Sequence, residues 1–134
     1  MKALTFLKII TVFNVLVSIG FSVAGMLSPF LVLPAKVTTD KAITVFALYA
    51  GARTIPIVAL TILSVFRKHW NAFIILAALA GVMQFLDGFV GIYEQDLSKA
   101  AGPFIVATIQ FVAIYLAVST NDKTNNRINK EDIA

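Results

Sequence analysis

Residues 70–93, WNAFIILAALAGVMQFLDGFVGIY, decide the fold, because this otherwise apolar stretch carries a single charge, Asp87. A helix needs roughly 20 mostly apolar residues to cross a hydrocarbon core of about 30 Å. A strand of a soluble protein is shorter, and a surface helix repeats polar residues along one face. The stretch therefore predicts a membrane-spanning helix.

Three further stretches have the same character. Residues 9–33 and 100–120 contain no charge, and residues 42–66 contain one, Arg53. The whole chain of 134 residues is 59% hydrophobic and 13% charged, whereas soluble domains are about 25% charged. The sequence predicts an all-α integral membrane four-helix bundle over residues 1–120, followed by a polar, disordered tail at 121–134. The predicted helices are 5–28, 42–66, 70–94 and 102–120.

Prolines and basic residues set the predicted boundaries and orientation. Pro29 and Pro34 end the first helix because proline donates no backbone hydrogen bond, and Gly102–Pro103 suits the start of the fourth. Seven Lys and Arg residues lie on the side of the two termini and the second loop: Lys2, Lys8, Arg67, Lys68, Lys123, Arg127 and Lys130. Three lie on the other side: Lys36, Lys41 and Lys99. The positive-inside rule then predicts both termini in the cytoplasm of a multi-pass protein, here of a bacterial inner membrane.

Composition excludes several kinds of chemistry. The chain has no cysteine, so disulfides, thiolate metal sites and cysteine nucleophiles are excluded. Its one histidine, His69, lies in a short basic loop, and no nucleotide-binding or zinc-protease motif occurs. The net charge of +4 comes from residues that flank apolar runs, which indicates topology rather than nucleic-acid binding. We expect no metal, no cofactor and no catalytic residue.

The two charges inside the spans are the most informative residues. A charge near the centre of a membrane helix costs roughly 2.5–3.5 kcal/mol on insertion scales, so it normally faces the bundle interior and finds a partner. Arg53 lies near mid-depth in the second helix, and Asp87 lies about two-thirds across the third. Side chains lean toward the N-terminus of their own helix, so these two lean toward each other's level. The sequence predicts that Arg53 and Asp87 form an ion pair.

Other polar residues recur at similar depths. Asn14 lies on the first helix, Gln84 and Glu94 share a face of the third with Asp87, Gln110 is central in the fourth, and Tyr49 precedes Arg53 by one turn. This convergence predicts a polar pocket inside the bundle. The alternative interpretation is purely structural, with an Arg53–Asp87 staple and interhelical hydrogen bonds that average about 0.6 kcal/mol in membranes.

The arrangement resembles the small four-helix bacterial membrane proteins grouped as DoxX-like. The similarity rests on Gly51-Ala52-Arg53 in the second helix and Gln84-Phe85-Leu86-Asp87-Gly88 in the third, followed by a short loop and a plain fourth helix. Some members look like accessory subunits of quinone-linked redox enzymes. The resemblance therefore implies a quinone-like or lipid-like ligand.

Three functional hypotheses follow. The leading one is a binding or accessory module that holds a small amphipathic ligand around Arg53 and Asp87, with the bilayer and a second copy or a membrane enzyme as the expected partners. The second is a proton-coupled transporter in which Asp87 titrates. The third is an intramembrane isomerase that uses Asp87 and Glu94 as acid and base.

Overall fold

A computed structural model describes residues 2–29, 41–67 and 69–131, with side chains to residue 121. It contains four helices: α1 (Lys2–Leu27), α2 (Lys41–Arg67), α3 (Trp70–Tyr93) and α4 (Leu97–Glu131). The described ranges contain no strand, and each helix is long and apolar enough to cross a membrane. The all-α class and the four helices are thus confirmed. Pro34, Lys36 and Lys68, which entered the predictions above, lie outside the described residues, as do the side chains beyond residue 121.

The largest departure from the predicted boundaries concerns α4. It begins at Leu97, because Oδ1 of Asp96 accepts hydrogen bonds from the amides of Ser98 and Lys99 at 3.1 and 3.2 Å. A carboxylate at this position satisfies amides that have no partner within the helix. Pro103, predicted to mark the start, lies inside the helix.

The C-terminal end of α4 differs from the prediction as well. The tail predicted to be disordered from residue 121 continues α4 as helix to Glu131. Extending an existing helix adds one hydrogen bond per residue and needs no new nucleus, so a polar sequence can continue a helix that the membrane span has already formed.

A tight turn joins α3 to α4. The amide of Asp96 donates to the carbonyl of Gly91 at 3.0 Å, and the amide of Gln95 donates to Ile92 at 2.9 Å. This pair of bonds is the Schellman ending of a helix, in which glycine usually occupies the left-handed position. Here Gln95 occupies it, with φ of 59°. The turn reverses the chain within three residues and sets α4 antiparallel against α3.

Glycines allow α3 and α4 to approach closely. A Cβ atom at Gly88 would lie 2.8 Å from the ring of Phe104, and one at Gly91 would lie 2.5 Å from the amide nitrogen of Ala100. Ordinary Cβ contacts are near 3.4–4 Å, so neither position has room for a side chain. These two helices share the most extensive interface in the bundle.

The first helix is central to the rest of the packing. It lies between α2 and α4 and also touches α3, whereas α2 and α3 share only a small interface. The core consists of two apolar clusters, one of Leu7, Phe73, Ala77, Ala113 and Ala117 and one of Val15, Val58 and Ala80. The bundle is therefore built from an α3–α4 pair and an α1–α2 pair that meet mainly through α1 and α4.

Candidate functional site

Two predicted site residues, Asn14 and Gln110, form the polar centre of the bundle. The Nδ2 group of Asn14 donates to Oε1 of Gln110 at 3.4 Å, and Nε2 of Gln110 donates to Oγ1 of Thr11 at 2.8 Å. All three side chains are fully buried. The Oδ1 atom of Asn14 has no hydrogen-bond partner among the described residues. This network ties α1 to α4 in a region where a lost hydrogen bond cannot be replaced by water.

A third predicted residue, Gln84, attaches α3 to the same region. Its Nε2 group donates to Oγ of Ser18 at 3.3 Å, and the Ser18 hydroxyl donates to the carbonyl of Asn14 at 3.1 Å. Amides from three helices are thus brought together. Asn14 donates to Gln110, and Gln84 and Gln110 each donate to a hydroxyl of α1, so each amide donates one hydrogen bond within the protein.

The second helix turns a row of hydroxyls toward the core that the sequence analysis missed. Thr54, Thr61 and Ser64 are buried, and each hydroxyl donates to a carbonyl of its own helix. Their spacing of seven and then three residues places them on one helix face, which was the available signal. Each hydroxyl is hydrogen-bonded within α2. These residues therefore allow α2 to pack in the core and do not offer a group for binding a ligand.

The predicted ion pair between Arg53 and Asp87 is not formed. Both residues are exposed, and the one ion pair among the described residues joins Lys99 to Glu94 at 2.8 Å. The prediction assumed that α2 and α3, which are neighbours along the chain, also pack closely along their length. They do not, because each of them packs mainly on another helix.

Arg53 lies on the side of α2 that faces away from α1. Gly51 is in contact with Met26 of α1. Arg53 follows Gly51 by two residues, which is about 160° around a helix of 3.6 residues per turn. The guanidinium therefore projects away from the contact between Gly51 and Met26.

Asp87 lies on the opposite side of α3 from two of its aromatic residues. Phe85 and Phe89 pack edge-on against Phe104 of α4, with ring centroids 5.5 and 5.4 Å apart. Asp87 is two residues from each, again about 160° around the helix. The carboxylate is therefore turned away from these rings, and it lies one helical turn from Gly91, which packs on the backbone of α4.

Burial changes along the helix faces that carry Arg53 and Asp87. Ser64, Arg53 and Phe46 lie within about 20° of one another around α2, yet Ser64 is 7% exposed and Phe46 is 74% exposed. On α3, Ala80 is buried, and Asp87, seven residues later on nearly the same face, is exposed. On α3, Gly91, which lies farther from the α2–α3 turn and one helical turn from Asp87, is buried again against α4.

The exposed residues on these flanks define what we call the α2–α3 seam: Phe46, Tyr49 and Arg53 on α2, and Asp87 and Val90 on α3. Tyr49 lies one helical turn from Arg53, so its phenol borders the guanidinium face. The seam thus combines a cation, an anion, a hydroxyl and two large apolar side chains.

Glu94, the remaining predicted site residue, lies at the α3–α4 turn. Its ion pair with Lys99 holds that turn together. Next to it, the hydrogen bond from the Ser98 hydroxyl at 2.6 Å, with backbone bonds from Lys99 and Ser98, lowers the pKa of Asp96 below its ordinary value. Glu94 and Asp96 therefore stabilise the turn, and Glu94 does not join Asp87 in an acid–base pair.

Two shallow depressions lie on the surface of the described residues. One, of about 400 Å³, is lined by His69, Trp70, Asn71 and Ala72 at the start of α3. The other, of about 370 Å³, is lined by Lys8, Ile9, Val12, Phe13 and Leu16 of α1. Neither includes a seam residue. Within the described part of the chain, no group of three or more metal-ligating side chains gathers.

Comparison with known proteins yields no match: no family model, no curated protein and no solved structure is similar to this chain. Any function must therefore be argued from the residues themselves.

Proposed function

We propose that the protein is a binding or accessory module of the membrane, in which the α2–α3 seam holds the polar head of a small amphipathic molecule. The observation that carries this proposal is the exposure of Arg53 and Asp87 within two spans, without an ion pair between them. Each such charge costs roughly 2.5–3.5 kcal/mol at the centre of a membrane helix unless a partner compensates it. A ligand at the seam supplies that partner.

The chemistry of the seam restricts the ligand. Arginine can only donate hydrogen bonds, and a carboxylate can only accept them. A head group that satisfies both must therefore present an acceptor, such as a carbonyl, to Arg53 and a hydroxyl or amine donor to Asp87. Phe46 and Val90, both strongly exposed, would flank an apolar body. A quinone- or lipid-like molecule has these features, which is also what the DoxX-like resemblance implies.

The position of the seam suits lateral entry from the bilayer. Arg53 lies about 21 Å along α2 from Arg67, and Asp87 lies about 26 Å along α3 from Trp70. With both termini in the cytoplasm of a bacterial inner membrane, as the loop charges predict, the seam lies in the outer half of the bilayer. The buried amides of Asn14, Gln84 and Gln110 hold α1, α3 and α4 together.

The proposal is tested by ligand retention. The wild-type protein and the Arg53→Gln and Asp87→Asn variants are purified in mild detergent and analysed by native mass spectrometry, with melting temperatures recorded across a panel of quinones and lipids. Arg67→Gln, an exposed cation at the other end of α2, is the matched control. We expect a bound molecule in wild type and control that is lost in both seam variants. No bound molecule in wild type, together with no thermal shift from any compound, would refute the proposal.

A second candidate rests on one observation: Asp87 is the sole acidic residue inside the four spans. This makes it the group that would titrate if the protein were the proton-coupled transporter that the sequence also predicts. Proteoliposomes that hold a pH-sensitive dye decide between the two. Proton entry that requires a candidate substrate and disappears in Asp87→Asn supports transport, whereas entry that is indifferent to this change rejects it.

A further inference from the structure

We infer that α1 carries a binding site for an anionic phospholipid, in which Lys8 meets the phosphate and an apolar groove takes the upper part of an acyl chain. The groove is the depression of about 370 Å³ on the surface of α1, and it is lined by Lys8, Ile9, Val12, Phe13 and Leu16. It includes neither Arg53 nor Asp87. The inference therefore goes beyond the proposed function and does not depend on it.

The groove runs along α1 between two rows of side chains. Lys8, Val12 and Leu16 recur at intervals of four residues, and Ile9 and Phe13 form the neighbouring row. Ile9, Phe13 and Leu16 are each more than half exposed, so the groove faces the outside of the bundle. From Lys8 to Leu16 it extends about 12 Å along the helix. An acyl chain can lie between the two rows over this length.

Lys8 lies at the boundary between the hydrocarbon core and the head groups. It directly precedes residues 9–33, which contain no charge. Its neighbour Leu7 belongs to the core cluster against which Trp70 packs, and tryptophan favours the membrane interface. Helical side chains lean toward the N-terminus of their own helix, so the Lys8 ammonium leans toward the head groups. The groove thus offers a cation at the depth of a phosphate and apolar walls at the depth of an acyl chain.

The charges at this end of the bundle favour an anionic occupant. Where α1 and α3 begin and α2 ends, the described side chains include the cations Lys2, Lys8 and Arg67 and no acidic group. Lys8 has no ion-pair partner among the described residues. A head group of net negative charge compensates this lysine, whereas a zwitterionic head group brings a second cation into a region that is already positive. The site should therefore prefer anionic lipid.

The apolar walls favour a lipid over a soluble anion. Inorganic phosphate could meet Lys8, but it would leave the exposed side chains of Ile9, Phe13 and Leu16 uncovered. These residues also lie in a helix long and apolar enough to cross a membrane, where a soluble anion does not enter. A phospholipid satisfies both parts of the groove with one molecule.

The test measures which lipid occupies the groove. A reporter chain carries Phe13→Trp within the groove and Trp70→Phe, so that its one tryptophan emits from the site. It is reconstituted into vesicles with brominated lipid, which quenches tryptophan on contact, supplied as phosphatidylglycerol or as phosphatidylcholine with identical acyl chains. We expect phosphatidylglycerol to bind about fivefold more tightly at this site. Lys8→Arg should keep this preference, and Lys8→Gln should lose it.

Two control variants distinguish a site from a general attraction to the basic end. Lys41→Gln removes an exposed cation at the opposite end of the bundle, and Arg67→Gln removes one at the same end but outside the groove. Both should keep the preference for phosphatidylglycerol. An equal loss in Arg67→Gln and Lys8→Gln would show a diffuse attraction and overturn the inference. A reporter chain that binds the two lipids equally would overturn it as well.

A second measurement uses the natural sequence and does not need the reporter. The unmodified chain and Lys8→Gln, each verified as helical by circular dichroism, are titrated in mild detergent with the same two lipids and analysed by native mass spectrometry. More phosphatidylglycerol on the unmodified chain than on Lys8→Gln supports the site, and equal amounts reject it. The proposed function is judged separately, because Arg53→Gln leaves the groove intact and should keep its preference for phosphatidylglycerol whether or not the seam binds a ligand.

Discussion

Replacing Gly91 by alanine should destabilise the protein more than any other single methyl addition to α3. A Cβ atom there would lie 2.5 Å from the amide nitrogen and 2.7 Å from the Cα atom of Ala100. These are backbone atoms of α4, so no side-chain rotation can relieve the overlap. The helix would have to move by most of an ångström, and it is held at that end by the Asp96 cap.

The magnitude follows from two opposing terms. Overpacking a tight site costs about 1–3 kcal/mol, and contact with backbone places Gly91 at the upper end. Alanine is better than glycine in a helix interior by up to about 1 kcal/mol, less in the last turn, where Gly91 lies. We expect a net loss of about 2 kcal/mol. Gly20→Ala is the matched control because nothing lies within 4 Å of a Cβ atom there, and it should gain about 0.5–1 kcal/mol.

The assay is equilibrium unfolding in mixed detergent micelles, followed by the fluorescence of Trp70, the single tryptophan. Trp70 packs against Phe73 at a ring-centroid distance of 6.4 Å, so its emission reports loss of the core. The two variants should differ by about 3 kcal/mol in the free energy of unfolding. If Gly91→Ala is as stable as Gly20→Ala, the close approach of α3 and α4 at this position is wrong.

Three further outcomes are expected in the same assay. Gln95→Gly should stabilise the chain by about 1 kcal/mol, because a left-handed φ of 59° strains any residue with a Cβ atom; no gain would mean that the turn is unstrained. The Asp96 cap should lose its contribution in acid: the hydrogen bonds from Ser98 and Lys99 lower its pKa from 3.8, so its stabilisation is intact above that value and disappears as the pH falls through the lowered pKa. An Asp96→Ala variant should lack this acid-dependent component, and an identical pH profile would contradict the assignment. Gln110→Leu should cost about 1–3 kcal/mol because Asn14 loses its acceptor, and adding Asn14→Leu should recover part of that loss; a double variant with the summed loss would show that the two amides do not interact.

The sequence alone predicted the four helices well because that prediction depends on the composition of long apolar runs. Long uncharged runs specify spans regardless of what they pack against, because a bilayer requires about 20 apolar residues for each crossing. The start of α4 was wrong because the prediction relied on Pro103, while Asp96 was already in place as a cap. Pro103 and Asp96 are both local signals for the start of a helix. Only the three-dimensional structure shows which of them marks the start of α4.

The arrangement of the site was decided by tertiary structure. The types of the key residues were visible in the sequence, and Asn14, Gln84 and Gln110 do meet in or beside the core. Whether Arg53 and Asp87 meet depends on which helices pack closely, and that is set by Gly88 and Gly91, which bring α3 against α4 instead of α2. Helix formation is local and can be read along the chain. Helix pairing depends on the fit of distant surfaces, and a single missing side chain can decide it.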